Sequence, residues 1–249
     1  MTSTRRAEEA APGPQGTTPH RPAWLVPAGL ILLGLIPVLA GAARLAELAG
    51  GAEVTERNAR FVEFPVPVVL HILGATLYAV LGAFQFLPSL RRGGRSLHRV
   101  AGRILFPAGL VAALTGLWMA CFSALPPGDG RLLLAFRLLF GTVMVLSLVL
   151  GVRAAVRGDT RTHGAWMTRA YAIGLGAGTQ ALILIVPELL GSPPGVTLRA
   201  LLMGAGWMIN LGVAEVVIRR RTRFRAPPAP GGSTDGHRSP RAGMPRVPR

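Results

Sequence analysis

The sequence is poor in several residue types: its 249 residues include no lysine, one cysteine, two tyrosines and only 15% charged residues. Because Cys121 is alone, an internal disulfide and a cysteine-based metal cluster are excluded. The charged fraction lies below the roughly 25% of soluble domains. The sequence also lacks a phosphate-binding glycine loop, a zinc motif and a nucleophile elbow, which excludes the enzyme classes built on them.

The chain is instead rich in long apolar runs. Half of its residues are hydrophobic and its mean hydropathy is +0.44. A helix that crosses a bilayer needs ~20 predominantly apolar residues. The sequence therefore predicts an all-α fold, a multi-pass transmembrane bundle of six helices, over residues 24–43, 66–87, 101–122, 132–152, 166–189 and 198–218.

Both ends of the chain lack apolar periodicity. We predict a disordered tail over residues 1–22, a six-helix membrane domain over 23–221 and a disordered, basic, Pro/Gly-rich tail over 222–249. Residues 40–42, Ala-Gly-Ala, resemble a signal-peptide cleavage site. Because the first run is long and follows a partly acidic leader, we favour a retained helix.

All 27 basic residues are arginine, and the formal net charge is +16. The arginines lie in short loops and tails, with an excess after the second, fourth and sixth predicted helices. The positive-inside rule then predicts that both termini are cytoplasmic. We expect a multi-pass protein of the plasma membrane that contacts anionic lipid headgroups at the cytoplasmic face and has no nucleic-acid partner.

The second predicted helix carries a polar stripe. Residues three and four apart share a helix face, and this spacing connects His71, Gly74, Tyr78, Gly82 and Gln85. The other faces carry Leu, Val, Ile and Phe. Polar side chains face lipid only at a high free-energy cost, so the stripe should face other helices.

Further polar residues in the predicted helices extend this stripe into an interior polar seam. We define the seam as Tyr78, Gln85, Arg137, Gln180, Asn210 and Glu215. An ion pair of Glu215 with Arg103 or Arg169 is the structural interpretation, and a proton relay is the alternative. Arg137 could instead extend toward the headgroups.

His71 lies about 9 Å inside its predicted helix, at ~1.5 Å per residue. Ionisable groups at such depth are often functional. A haem site that joins His71 to Met119 requires both side chains to face one cavity. The alternative is a neutral histidine with a hydrogen bond to another helix.

His98 and His163 both precede a predicted helix on the cytoplasmic side, followed by Arg103 and Arg169 respectively. If the histidines converge, they could bind the iron of haem b or the head group of a quinone. The arginines would then bind propionates or phosphates. The alternative is a pair of histidines that bond to carbonyl groups or lipid phosphates at the membrane surface.

Several longer motifs resemble a known family. They occupy residues 81–86, 98–103, 116–119, 136–141, 163–171, 174–180 and 206–215. Together they are similar to the bacterial predicted membrane proteins of domain-of-unknown-function family 2306, over roughly residues 24–221. The resemblance implies a multi-pass bundle and implies no particular activity.

Three functions fit these patterns. The first is a redox module that binds haem b or a quinone through His98 and His163, with or without His71. The second is a non-catalytic membrane scaffold, in which rows of small residues such as Gly109 and Gly116 only pack helices together. The third is a small proton-coupled transporter that uses the His71 stripe and Arg137. The sequence does not decide whether the protein is an enzyme.

Overall fold

The computed structural model describes residues 22–51, 53–55, 58–87, 95–126 and 128–223. Within these ranges the chain is helical and contains no strand. Its helices are α1 Leu25–Ala49, α2 Ala59–Glu63, α3 Pro65–Phe84, α4 Arg95–Phe122, α5 Arg131–Val156, α6 Thr160–Gly174, α7 Gly176–Leu189 and α8 Val196–Arg223. The predicted tails lie outside the described residues, apart from Pro22 and the last two residues of α8.

The prediction of six membrane-spanning helices is confirmed. The spans are α1, α3, α4, α5, the α6–α7 pair and α8, each with at least 18 residues and a strongly apolar window. The fifth span is interrupted at Leu175, where the N–H of Gly178 donates to the Leu175 carbonyl at 3.0 Å. This i to i+3 bond tightens the backbone between α6 and α7.

Several helices are longer than predicted. The prediction that His98 and His163 precede their helices is wrong, because α4 begins at Arg95 and α6 begins at Thr160. Arginine favours helix, so the helices continue beyond the apolar run. Asp159 caps α6 by accepting a hydrogen bond from the Thr162 N–H at 2.9 Å.

The loop predicted over residues 44–65 is also partly helical. α1 continues to Ala49, and the short α2 follows in the same segment. The long first helix and the five-residue α2 place Arg44 and Arg60 at one end of the bundle. We name this the Asp129 end, after Asp129 between α4 and α5, and we name the opposite end the His163 end.

The helices form a closed ring. α1 packs on α3, α3 on α4, α4 on α5, α5 on α8, α8 on α7, and α7 returns to α1. α6 contacts α3, α5 and α8 in the half nearer the His163 end. Large apolar side chains on the outside are exposed, as the lipid bilayer requires.

The stripe on α3 faces the inside of this ring. Gly74, Tyr78 and Gly82 are buried. A Cβ atom at Gly74 would lie 2.8 Å from the Ala108 carbonyl oxygen on α4. Small residues at this interface therefore bring two helix backbones close together, as is usual between membrane helices.

Candidate functional site

A cavity of about 430 Å³ lies inside the ring, in the half nearer the Asp129 end. Each of the eight described helices contributes to its wall, including residues predicted for the polar seam: Tyr78, Arg137 and Gln180. His71 and Met119 also line it, so both members of the hypothetical haem pair face one cavity. Its volume lies within the ~300–1,000 Å³ typical of small-molecule sites.

His71 is held against α4 through its Nδ1, which also lies 3.4 Å from the Thr115 hydroxyl oxygen. Its Nδ1 lies 2.8 Å from the Ala112 carbonyl oxygen. A carbonyl oxygen only accepts, so Nδ1 carries the proton and the neutral ring offers Nε2 as an acceptor. The side chain therefore combines the interhelical bond proposed from the sequence with a free acceptor on a ring that lines the cavity.

Tyr78 forms part of the wall on the side of the His163 end. Its ring fits between two glycines, because a Cβ atom would lie 2.7 Å from the ring at Gly109 and 3.1 Å at Gly174. Tyr78 is only 6% exposed, and its hydroxyl makes no hydrogen bond within the described part of the chain. The hydroxyl is not one of the fully buried unsatisfied atoms of the described residues, so it is accessible from the cavity and can bond to a ligand or water there.

An aromatic layer closes the cavity beyond Tyr78. The Tyr171 ring lies 5.7 Å from that of Tyr78, and the Phe86 ring lies 5.1 Å from that of Tyr171. The Tyr171 hydroxyl donates to the Ala79 carbonyl oxygen at 2.7 Å and so joins α6 to α3. These rings separate the cavity from the His163 end.

Gln180 and Asn210 organise the wall near the interruption at Leu175. The Gln180 side-chain amide donates to the Met203 carbonyl oxygen at 2.9 Å. Asn210 accepts from the Thr179 hydroxyl at 2.7 Å and donates to the Ala172 carbonyl oxygen at 3.1 Å. Gln180 lines the cavity, whereas Asn210 joins α8 to both halves of the fifth span.

Arg137 is paired rather than extended alone toward the headgroups. It donates to Asp129 at 2.6 Å, and Arg199 donates to the other oxygen of the same carboxylate at 3.2 Å. The Asp129 side chain is only 3% exposed. One carboxylate in the loop before α5 therefore fixes two arginines, from α5 and α8, at this end of the cavity.

Arg60 is a cavity residue that the sequence analysis missed. α2 is held in place by Asn58, whose side chain bonds to Glu47, to the Thr55 N–H and to the Glu53 carbonyl oxygen. Arg60 then reaches the wall, donates to the Ala124 carbonyl oxygen at 3.3 Å and has a buried Nε without a hydrogen-bond partner. No sequence signal distinguished Arg60 from its neighbour Arg57.

Burial lowers the pKa of the Arg60 guanidinium, and the positive charge of Arg137 lowers it further. Asp129 has the opposite effect on this pKa, but a smaller one. Arginine stays protonated in proteins in spite of such shifts. The local field at this wall is therefore positive, and a negative charge placed there would be stabilised.

The two histidines near the other end do converge. The His98 and His163 ring centroids are 6.5 Å apart, with an angle of 88° between the ring planes. His163 Nδ1 lies 2.9 Å from the Gly151 carbonyl oxygen, so the proton of the neutral ring is on Nδ1. Gly158, with φ of 77°, permits the tight turn that returns α6 along α5.

The remaining predicted residues separate into a paired and an exposed group. Arg169 forms a two-point ion pair with Glu215, at 2.5 and 3.1 Å, and its guanidinium lies 4.8 Å from the Trp166 ring centroid. Arg103, the other predicted partner, is exposed. Gln85 is half-buried just after α3 and does not line the cavity.

Comparison with known proteins agrees with this architecture. Residues 68–218 match the family described as "Predicted membrane protein (DUF2306)". No curated protein and no solved structure matches the chain. The matched residues extend from α3 almost to the end of α8 and include most of the cavity wall. Because the match covers more than half of the chain, the protein belongs to this family of predicted membrane proteins.

Proposed function

We propose that the protein is a small-molecule carrier that binds its substrate in the cavity beside His71 and Tyr78. The observation that carries this proposal is the cavity itself, about 430 Å³ with a few polar side chains in a mostly apolar wall. Ligand sites in proteins typically combine an apolar wall with a few convergent polar groups. A scaffold that only packs helices has no use for such a space.

Unused hydrogen-bonding capacity supports the same proposal. His71 Nε2, the Tyr78 hydroxyl and Arg60 Nε belong to residues that line the cavity, and none has a hydrogen-bond partner within the described residues. Of the three, only Arg60 Nε is fully buried, and a buried donor is costly unless a ligand or water completes its bond. The three groups offer one acceptor and two donors to a substrate.

The interruption of the fifth span also supports a carrier. Leu175 and the neighbouring Gly174 and Gly178 all line the cavity. Irregular backbone within a membrane is tolerated where it lines a cavity, and discontinuous helices often form the substrate sites of transporters. His71 provides proton coupling in this proposal, because an imidazole can bind and release a proton.

The predicted orientation completes the proposal. Arginine placement supports a cytoplasmic location of the His163 end in the plasma membrane, with anionic lipids against its arginines. The cavity would then open toward the exterior. A shallow apolar depression of about 510 Å³ between α1 and α3 shares Val38, Ile72 and Thr76 with the cavity and offers a second approach from lipid.

A volume-filling variant tests whether the cavity binds ligands. Ala75 lines the cavity, whereas Leu70 on the same helix faces outward, is 44% exposed and lines neither the cavity nor the depression. We expect that some compounds from a library of small metabolites raise the melting temperature of the native protein and of Leu70→Phe. The same compounds should have no effect on Ala75→Phe. Equal stabilisation of both variants would contradict binding in this cavity.

A cysteine substitution tests the predicted access route. Ala120 lines the cavity, and the native Cys121 beside it is exposed, so Cys121→Ser provides the background for Ala120→Cys. A membrane-impermeant thiol reagent should label Ala120→Cys from outside intact cells, and a stabilising compound should slow this labelling. Labelling only after the cytoplasmic side is exposed would refute the proposed orientation.

The second candidate is a redox function at His98 and His163. A metal bonded to two imidazoles at ~2 Å each holds the two nitrogens ~4 Å apart, and the 6.5 Å between the centroids is compatible with such a span. The bond from Nδ1 of His163 to a carbonyl oxygen leaves Nε2 as its ligand atom, which is typical of metal-binding histidines. Arg169 is engaged by Glu215, so the predicted role of this arginine toward a cofactor requires exchange of that pair.

Absorption spectroscopy distinguishes the two candidates. If the redox candidate is correct, the membrane-purified protein shows a haem band, or quinone binding, that His163→Ala abolishes and His71→Ala preserves. The carrier proposal predicts the opposite dependence for ligand binding. A spectrum without a haem band, together with quinone binding unchanged in His163→Ala, would remove the redox candidate.

A further inference from the structure

Arginines from three helices meet beside one carboxylate at the Asp129 end. Arg60, Arg137 and Arg199 come together from α2, α5 and α8, and Asp129 is the one carboxylate that pairs with any of them in the described part of the chain. The nearby Arg44 and Glu47 form their own ion pair and cancel. Other acids of this end, such as Glu63 and Glu188, do not line the cavity, so the charged side chains of its wall, Arg60 and Arg137, are both positive.

Arg60 is the residue in which this positive charge is most evident. Its direct contacts are a hydrogen bond to the Ala124 carbonyl oxygen and a contact with the Phe61 ring at 4.3 Å, and the negative charge of Asp129 acts on it without forming an ion pair. Its buried Nε has no partner. Intramembrane and interfacial charges generally pair, so this wall lacks an anion.

We infer that the cavity binds a small organic anion whose charged group lies between Arg60 and Arg137. This inference rests on the carrier proposal and specifies its substrate class. The apolar part of the anion would lie against Met144 and Trp207, which line the same space. Carboxylates and phosphate esters share the required chemistry, because both accept hydrogen bonds from guanidinium groups.

The composition of the wall argues against a cation and against a neutral ligand. Within the described residues that line the cavity there is no aspartate and no glutamate, but there are two arginines and His71. In a medium of low dielectric constant, a cation would be repelled strongly at such a wall. A neutral ligand would leave the Arg60 guanidinium without a negatively charged group in the cavity.

Fluorescence quenching measures this preference without knowledge of the natural substrate. Trp207 lines the cavity and provides the signal. Iodide serves as an anionic probe, caesium as a cationic probe and acrylamide as a neutral probe, all at constant ionic strength in detergent. The fluorescence of Trp207 is obtained in two ways. One is the emission of the triple variant Trp24→Phe/Trp118→Phe/Trp166→Phe, and the other is the emission of the native protein minus that of Trp207→Phe.

We expect iodide to quench Trp207 about three- to tenfold more efficiently than caesium, because a positive cleft concentrates anions. Arg60→Gln should remove most of this difference, and Arg60→Lys should retain it. Arg131→Gln is the matched control, since Arg131 is exposed at the same end of the bundle and does not line the cavity. It removes the same net charge and should leave the ratio of iodide to caesium quenching unchanged.

The outcomes separate this inference from the carrier proposal. If acrylamide reaches Trp207 but iodide and caesium quench equally, or if Arg60→Gln has no more effect than Arg131→Gln, the anion inference is overturned and the cavity remains a ligand site. If acrylamide does not quench Trp207 and Ala75→Phe does not alter the stabilisation by any compound, the cavity is closed and both proposals fail.

Discussion

His71 and His163 make the same hydrogen bond in very different surroundings. Each donates from Nδ1 to a carbonyl oxygen of a neighbouring helix, at 2.8 Å to Ala112 and at 2.9 Å to Gly151. The His71 ring lines a cavity of about 430 Å³, whereas the His163 ring lies 6.5 Å from that of His98. Identical tautomers therefore have different neighbours on the side of Nε2.

The two ends of the bundle also differ in how completely their charged side chains are paired. Near the His163 end, Arg169 and Glu215 satisfy each other through two hydrogen bonds. Near the Asp129 end, a single carboxylate serves two arginines and Arg60 has no carboxylate partner in the described residues. The comparison teaches that a polar residue indicates a ligand site where its partners are incomplete, rather than wherever it occurs in a membrane helix.

The largest expected effect concerns the glycines that shape the two regions. A methyl group at Gly178 would collide with the Leu33 carbonyl oxygen in the backbone of α1, whereas one at Gly151 would meet the flexible end of Met167. We expect Gly178→Ala to destabilise the protein by about 3 kcal/mol, the upper range for overpacking, and Gly151→Ala to cost about 1 kcal/mol. Thermal unfolding in detergent measures both.

Gly102→Ala is the control for these variants, because its methyl group would meet nothing within 4 Å. Its melting temperature should match that of the native protein. The scaffold hypothesis predicts that glycine variants impair function while histidine variants are silent. A silent His71→Gln variant in the ligand assays would therefore favour the scaffold over the carrier.

The second largest effect is expected at the shared carboxylate. Asp129→Asn should destabilise the protein by about 2 kcal/mol, less than the ~3–5 kcal/mol of a fully buried pair, because Arg137 and Arg199 are about a third exposed. It should also increase iodide quenching of Trp207, since the loss of the carboxylate charge makes the surroundings of the cavity more positive. Reduced iodide quenching in a folded Asp129→Asn variant would contradict the proposed electrostatics.

The histidines themselves give a smaller effect on stability and a clear difference in binding. His71→Gln and His163→Gln should each cost about 1 kcal/mol, the net value of one hydrogen bond. The carrier proposal predicts that only His71→Gln weakens ligand-induced stabilisation. Equal losses of binding in both variants would mean that the two regions are coupled, which the aromatic layer at Tyr78 and Tyr171 argues against.

The smallest effect is a dependence of stability on pH at the His163 end. The hydrogen bond from Thr162 lowers the pKa of Asp159, so the ionised cap stabilises α6. A carboxyl group whose pKa is depressed in the folded state contributes stability above its unfolded pKa and loses it as pH falls through the folded value. Asp159→Asn keeps an acceptor for the cap, and its melting temperature should depend less on pH between about 5 and 2.

The number of spans and the inward direction of the α3 stripe were predictable from local pattern. Apolar runs of sufficient length have one stable arrangement in hydrocarbon, namely a helix that crosses it. The helix ends were not predictable, because arginine-rich flanks such as residues 95–100 continue the helix without an apolar signal. The helical positions of His98 and His163 follow from this.

The membership of the site was less predictable than the fold. His71, Tyr78, Arg137 and Gln180 were candidates because they interrupt apolar runs, and all four line the cavity. Arg60 was not a candidate, since in the sequence it is one of several arginines between two spans. Its role follows only from the position of α2, which packs on α3 and brings Arg60 to the cavity wall.

The sequence by itself determined a six-pass helical membrane protein with polar groups turned inward, because hydrocarbon leaves the backbone and sparse polar side chains no other inexpensive arrangement. Only the tertiary structure decided which of those groups have hydrogen-bond partners and which line a cavity without one. Partners such as Arg137 and Arg199 are 62 positions apart in the chain and meet at one carboxylate. Such convergence depends on how the helices pack, which no local pattern records.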